Sequence, residues 1–409
     1  METLEDESTN TTVDPLKKTN ANISLPIEVI EEILSRLPVK SILRFRSLSK
    51  PWLSRISNPS FAKLQFTRAT AAHRSALFIS AFDRSTGKQH LLSAAHDGGP
   101  VTHLMTLPEF DSVDIVTEAQ HLNGLVSFAC EEWCFGDYYT QVFVVNPSTR
   151  KIFKLPQHDL DFSKNLFGTG RYLFVFDESK YEHKILIFRD FVVTMEVMIY
   201  SMSNYSWRKI IVEPPIGFTW DLLCYSTKSG VCVTSVVHLM VLESYDILAF
   251  DLRTEKFSII NTPQGVKPHK RHTRYTNKCK IRVKNNVPRV IKINGCIGVV
   301  CHDLVLEKNQ MHIWILQDYE NRVWVREIVT FPKSWKKLGE PFPVDSVNMD
   351  EVIFFSSDFS RNHAKSVSIY NRKNRCFKYL QFTPGHKFSL SRTMRIDQIS
   401  CYVESMVPL

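Results

Sequence analysis

Glycine is scarce in this chain, 14 residues in 409. None of it gathers into a Gly-rich loop that could cradle a phosphate. A Gly-x-Ser-x-Gly nucleophile elbow is missing, and so is any His/Cys set at zinc spacing. The Ser-x-Asp-x-Gly-x-Thr-Trp turns of propeller sialidases do not occur. No apolar run approaches the ~18 residues that a membrane helix needs. The opening METLEDESTNTTVDPLKKTN has no apolar h-region, which argues against a signal peptide and for a disordered leader over residues 1–22. These absences leave a non-enzymatic reading, with no cofactor, no metal and no membrane.

Cysteine is present but unpatterned: nine residues at positions 130, 134, 224, 232, 279, 296, 301, 376 and 401. An odd count at irregular spacing points to reduced thiols, hence to an intracellular protein of the nucleus or cytoplasm. Cys130/Cys134 and Cys296/Cys301-His302 invite a zinc reading, but the spacing is loose and the flanking runs are strand-like, so buried core thiols are expected. Acidic residues are missing from Lys267 to Lys284, PHKRHTRYTNKCKIRVK after the first lysine, which carries much of the net charge of +9. The run reads as a solvated loop, His269 and His272 included. The alternative is a strip that contacts RNA or an acidic partner, or an import signal. Tyr275 is the only aromatic in it, which is poor for base stacking, so nucleic acid is not the favoured partner.

What is present divides sharply. Ile23 to Phe66 has helical periodicity. Ser24 is a candidate N-cap and Pro26 suits a first turn. Ile27, Ile30, Ile33, Leu34 and Leu37 then recur at spacings of three and four, and Glu32 and Arg36 can pair at i,i+4. Pro38 ends this helix. Ser41 can cap a second helix with Ile42, Leu43, Phe45 and Leu48. Pro51 opens a third with Trp52, Leu53 and Ile56, and Asn58-Pro59 a fourth with Phe61, Leu64 and Phe66. Three or four short helices make a small core, and the apolar residues exceed what it needs. They form either a cap on the larger domain or a face for a partner.

Leu25-Pro26, Ile30/Ile33/Leu34, Leu37-Pro38-Val39-Lys40, Leu43, Arg44-Phe45-Arg46, Leu48-Ser49-Lys50 and Trp52 resemble an F-box, whose usual spelling is similar to LPxDLxxEILxRLPxKSLxRFRxVCKxW. Ser49 stands where Cys is common, and Pro51 where a polar residue is usual. The resemblance implies binding to a Skp-type adaptor and, through it, a cullin-based ubiquitin ligase, with Leu25, Pro26, Ile30, Ile33, Leu34, Leu37, Pro38, Val39, Leu43, Leu48, Lys50 and Trp52 as contacts. A buried aliphatic anchor contributes roughly 1.5–3 kcal/mol and association costs about 4–15 kcal/mol, so four or five anchors are required.

From residue 67 to 409 the period becomes alternating, as in an all-β domain. A hairpin scheme repeats: strand, polar turn with Asn, Asp or Ser, then a strand with an aromatic. Copies lie at Val142–Pro156, Val197–Ile211, Ile247–Ile260, Met311–Pro332 and Val367–Pro384, with a possible first copy at Ala76–Ser93. Further strand candidates fill the gaps: 124–130, 171–176, 184–188, 230–242, 289–300 and 351–356. Long-period hairpins are the mark of propeller blades. Asn123-Gly124-Leu125-Val126, Asn146-Pro147-Ser148-Thr149-Arg150 with Leu155-Pro156, Val197 to Arg208, and Phe250-Asp251-Leu252 to Pro263 resemble the F-box-associated domain of plant F-box proteins, a kelch-like propeller relative. The kelch double glycine is missing from every copy, which keeps a β-sandwich arrangement as the alternative. The expected architecture is therefore mixed: a small all-α F-box at 23–66, then an all-β, propeller-like target-recognition domain at 67–409. Trp133, Phe135, Tyr138 and Tyr139 form an aromatic insertion expected to be a loop, and Trp220 and Trp335 lie on similar loops. These six are the candidate contacts for a protein target, unless they fold back over the core.

Overall fold

The computed structural model describes residues 25–71, 76–108, 113–116, 120–134, 137–156, 171–190, 195–213, 230–241, 244–266, 288–301, 305–356, 367–385 and 394–409. Four helices come first: α1 (Ile27–Ser35), α2 (Val39–Arg46), α3 (Lys50–Ile56) and α4 (Pro59–Ala71). Their boundaries follow proline chemistry. Pro26 and Pro38 are the N-cap residues of α1 and α2, and Pro51 sits in the first turn of α3. Asn58 caps α4, its Oδ1 accepting from Ser60 N at 2.9 Å. Ser24 lies outside the described residues. Ser41 does not cap α2, which begins two residues earlier, and its amide bonds Pro38 O inside the first turn. The last helix continues to Ala71, five residues past the expected boundary at Phe66.

Six blades follow, all antiparallel meanders except where the ring closes. Blade I holds β1 (Ala76–Asp83), β2 (Lys88–Ala95) and β3 (Gly98–Thr106). Blade II holds β4 (Val113–Val116), β5 (Gln120–Leu122), β6 (Leu125–Cys134), β7 (Asp137–Asn146) and β8 (Lys151–Lys154). Blade III holds β9 (Arg171–Asp177), β10 (Glu182–Asp190), β11 (Met195–Ser201) and β12 (Ser206–Val212). Blade IV holds β13 (Val231–Val233), β14 (Val236–Met240), β15 (Ile247–Asp251) and β16 (Lys256–Ile260). Blade V holds β17 (Arg289–Ile293), β18 (Cys296–Cys301), the short helix α5 (Val305–Lys308), β19 (Gln310–Asp318) and β20 (Val323–Thr330). Blade VI holds β21 (Phe342–Ser346), β22 (Glu351–Phe355), β23 (Val367–Asn371) and β24 (Cys376–Leu380). The chain then supplies β25 (Phe382–Thr383) and β26 (Met394–Tyr402). The propeller reading holds and the β-sandwich alternative falls.

The last strand closes the ring. β26 pairs with β1 from Ala76↔Tyr402 to Asp83↔Met394, giving blade I its innermost strand. β25 lies parallel to β3 and adds a second clasp between blades VI and I. This closure corrects one expectation. The hairpin at Ala76–Ser93 is the second and third strand of its blade, whereas the five later copies are third and fourth. Its first strand comes from the far end of the chain.

Each junction between neighbouring blades carries its own apolar core, so six cores make a closed annulus. Middle strands face a core on both sides, so β14 is buried throughout and β15 up to its last residue; outer strands such as β12 and most of β16 run between exposed and half-buried. The third-to-fourth-strand turns explain how the chain manages with so little glycine. Their left-handed position is filled by Arg150, Tyr205, Glu255, Arg322 and Arg375, with φ between 53° and 59°. Several of these turns are fixed by a side-chain acceptor. Asn146 Oδ1 takes the amides of Ser148 and Thr149, and Asp251 Oδ1 that of Arg253.

Blade III contains a buried ionic group. Lys184 Nζ lies 2.6 Å from Asp177 Oδ2 and 3.9 Å from Glu182 Oε2, with all three side chains at most 8% exposed. Ser179 also donates to Asp177, and Ser201 and Ser203 donate to Glu182. Removing the one cation strands two buried carboxylates. Lys184→Met is therefore expected to destabilise the propeller by about 3–5 kcal/mol at neutral pH, read as a lowered urea midpoint.

Candidate functional site

The helical unit exposes more apolar surface than it buries comfortably. Leu34, Val39, Ile42, Ile56, Phe61 and Ala62 form its core, with Ile30, Leu37, Leu43 and Trp52 packed partly against them. Leu25, Val29 and Ile33 are 42–49% exposed; Val29 and Ile33, four residues apart, share one face of α1, and Leu25 lies just before its N-cap. Phe45 and Leu48 at the end of α2 and Leu53 on α3 are exposed too, Leu48 at 65%. Six large apolar side chains left in water over so short a stretch mark a contact surface. Lys40, Arg44 and Lys50 stand exposed among them. Pro26 and Pro38 are also exposed.

This placement revises the residue list. Leu34 and Val39 point into the helical core, at 4% and 1% exposure, and are not free to meet a partner. Their positions have the same periodicity as the exposed set, and only the packing of α4 over α1 and α3 separates the two faces. Val29, Phe45 and Leu53 belong to the exposed set and were not among the expected contacts. Val29 was legible, since it lies four residues from both Leu25 and Ile33. Glu32 pairs with Arg36 one turn on and with Arg68 of α4, and the second of these pairs links α1 to α4 at the surface.

The helical unit sits on one face of the propeller. β26 ends at Tyr402, and the residues after it touch the helices: Glu404 Oε2 accepts from Val39 N at 2.9 Å, and Met406 enters the helical core. Lys63 Nζ lies 4.2 Å above the Tyr181 ring, in the β9–β10 turn. Antiparallel order then decides which connections lie where. First-to-second and third-to-fourth turns share the helical side. Second-to-third and fourth-to-first connections leave from the opposite face.

The aromatic candidates divide on that map. Trp133, Tyr138 and Tyr139 belong to strands, not to a loop: β6 and β7 run on as a ladder that pairs Glu132 with Tyr139, Trp133 with Tyr138 and Cys134 with Asp137. That hairpin extends from the face away from the helices. Trp335 is not a surface contact. It is 5% exposed in the core between blades V and VI, and its indole N–H bonds Pro341 O at 2.8 Å. It was expected on a recognition loop, but a single 3₁₀ turn carries Lys336 and Lys337 outward and the indole inward. Phe135, Trp220 and the basic run 267–284 lie outside the described residues.

Titratable groups inside the propeller are arranged for structure. His183 is stacked on Phe174, with ring centroids 5.2 Å apart, and burial pushes its pKa down to about 4. His238 is fully buried between Val231 O and the Tyr319 hydroxyl and is likewise pushed down to about 4 by burial. Among the described residues no group of three or more His, Cys, Asp or Glu could hold a metal. Cys232, Cys296, Cys301, Cys376 and Cys401 are free thiols, and Cys376 departs from expectation by being exposed at the start of the outer strand β24. Burial raises the Cys232 thiol to about 11, well away from a reactive thiolate.

The two imidazoles give a pH signature. The folded chain keeps them neutral down to about pH 4, whereas the unfolded chain takes up protons near pH 6.5. The unfolded state binds more protons in that window, so stability falls as pH falls through it. Each histidine is expected to remove about 1 kcal/mol between pH 6.5 and 5.5, measurable by denaturant titration at both values.

Two family models divide the chain near the boundary between helices and blades. A family model described as the F-box domain matches residues 23–64, and one described as the F-box associated beta propeller domain matches residues 69–402. Among Arabidopsis thaliana proteins, F-box protein At1g53790 is 24% identical over 387 residues, covering 90% of this chain and 79% of its own. Putative F-box protein At1g47790 is 27% identical over 315 residues, covering 74% and 70%. Among solved structures, the β-propeller domain of the Trilobed protease from Pyrococcus furiosus overlaps 66% of this chain and 71% of its own, at 11% identity and a TM-score of 0.36.

Proposed function

Because the chain belongs to the F-box proteins that carry an F-box-associated β-propeller, we propose that it is the target-recognition subunit of a Skp–cullin–F-box ubiquitin ligase. In this reading the helical unit binds a Skp-type adaptor, and through it a cullin. The propeller holds a protein target, and the catalytic step belongs to other subunits. The observation that carries it is the set of exposed apolar residues on the first three helices and the segments flanking them: Leu25, Val29, Ile33, Phe45, Leu48 and Leu53. These side chains are already about half buried, so burying what remains exposed would gain on the order of 4–9 kcal/mol before losses, which offsets the lower part of the association cost. Leu25, Ile33 and Leu48 thus remain the leading contacts from the F-box pattern, joined by Val29, Phe45 and Leu53. The exposed Pro26, Pro38 and Lys50 and the half-buried Ile30, Leu37, Leu43 and Trp52 flank them.

We assign the target to the face opposite the helices. The adaptor side is occupied by the helical unit, while the second-to-third and fourth-to-first connections, the β6–β7 hairpin among them, open on the other side. Such a division places ligase and target at opposite ends of a stiff body.

Ile33→Asp combined with Leu48→Asp should abolish capture of a purified Skp-type adaptor. Loss of two anchors corresponds to at least about 100-fold in affinity. The circular dichroism and melting of the propeller should stay as in the wild type. Retention of wild-type adaptor affinity in this variant, with the fold intact, would sink the assignment of this face.

A further inference from the structure

The residues after β26 join the two domains by alternation. Val403 to Leu409 run without regular secondary structure, and odd and even positions go opposite ways. Glu404 and Met406 meet the helices. Ser405, Val407 and Leu409 meet the propeller, the last two at the core between blades II and III. Asn146 Nδ2 donates to Ser405 O at 3.0 Å and to Val407 O at 2.9 Å, and the Ser405 amide donates to Ser148 Oγ at 3.1 Å. Toward the helices, Gln65 on α4 accepts from Met406 N at 3.3 Å and donates to Glu404 O at 3.4 Å. Met406, 6% exposed, fills the floor of the helical core beside Leu34, Ile42 and Ile56. Gly124 permits the close approach. It adopts φ +79°, and a Cβ there would overlap Ser405 and Val403.

The contact at α2 is the informative one. A helix start leaves amides without partners, and a polar N-cap side chain ordinarily accepts from one. The N-cap of α2 is Pro38, which has no acceptor. The Glu404 carboxylate takes that place from 365 residues away, where its charge also suits the positive end of the helix dipole. The helix it caps carries Phe45 and leads directly to Leu48.

We propose that Val403–Leu409 is a strap through which the propeller orders α2 for the adaptor, with Glu404 and Met406 as positioning residues for that interaction. The proposal rests on the adaptor reading above. Neither side chain meets the adaptor in it. They act by holding α2 capped and the exposed set in place, so the adaptor affinity of the helical unit is a property of the whole chain.

The test uses the full chain, a purified Skp-type adaptor in calorimetric titration, and hydrogen exchange at the α2 amides. Glu404→Ala should weaken adaptor binding about 3- to 10-fold and speed exchange across Val39–Leu43, while the propeller melts as in the wild type. Glu404→Gln, which keeps an acceptor oxygen, should recover most of the loss. Gly124→Ala, which presses on the strap from the propeller side, should act as Glu404→Ala does. Leu48→Asp is the contrast, expected to lose binding with α2 exchange unchanged. Wild-type affinity in Glu404→Ala would overturn the strap's role if Leu48→Asp has lost binding. A loss of affinity in Glu404→Ala without faster α2 exchange would overturn it as well, since the contact would then be direct. If the wild-type chain does not bind the adaptor, or Leu48→Asp binds as the wild type does, the adaptor reading itself fails.

Discussion

The pairing of β26 with β1 is the constraint from which the rest of the architecture follows. A meander of six blades has two free sheet edges at its ends until some strand bridges them, and free edges are sites of aggregation. Eight residues of β1 register against the last strand of the chain, and the parallel β25–β3 contact doubles the join. The ring then buries six inter-blade cores at once. The same pairing brings Tyr402 to the side on which β1 begins, only a few residues after α4 ends at Ala71. Both routes out of blade I thus arrive at the helical unit, and the strap has no distance to cover.

That geometry separates two tasks. On the helical side, a minimal bundle keeps a core just large enough to hold its shape and leaves Leu25, Val29, Ile33, Phe45, Leu48 and Leu53 in water. The opposite side collects the longer connections on a rigid base. Between them, the interior groups are held inert: His183 and His238 neutral among aromatics, and Lys184 clasped by two carboxylates. A body of this kind can keep two partners at a fixed separation, which suits a protein that presents one molecule to another.

Much of the fold was legible in the sequence. Proline positions marked the helix starts, hairpins recurring at Val142, Val197, Ile247, Met311 and Val367 marked blades, and the F-box spelling marked the helical unit. The limits had physical causes. Leu34 and Ile33 are neighbours of equal hydrophobicity, and only helix packing decides that one is core and the other surface. Trp335 sits among lysines and still turns inward. Trp133 and Tyr138 looked like a loop because the strands holding them outrun the blade. The missing kelch glycines left the β-sandwich alternative open, yet these blades turn without glycine between their third and fourth strands, where Arg150, Tyr205, Glu255, Arg322 and Arg375 take the left-handed position.

The sequence by itself determined a helical unit followed by a repeated β-hairpin domain, because both are written in local spacing: three and four for helices, two for strands, and a long period for blades. Tertiary structure alone decided that the blades number six, that blade I borrows its innermost strand from the far end of the chain, and that Glu404 caps a helix beginning at Val39. Those are contacts between residues hundreds of positions apart. Local pattern carries no record of them, since they exist only once the ring has closed.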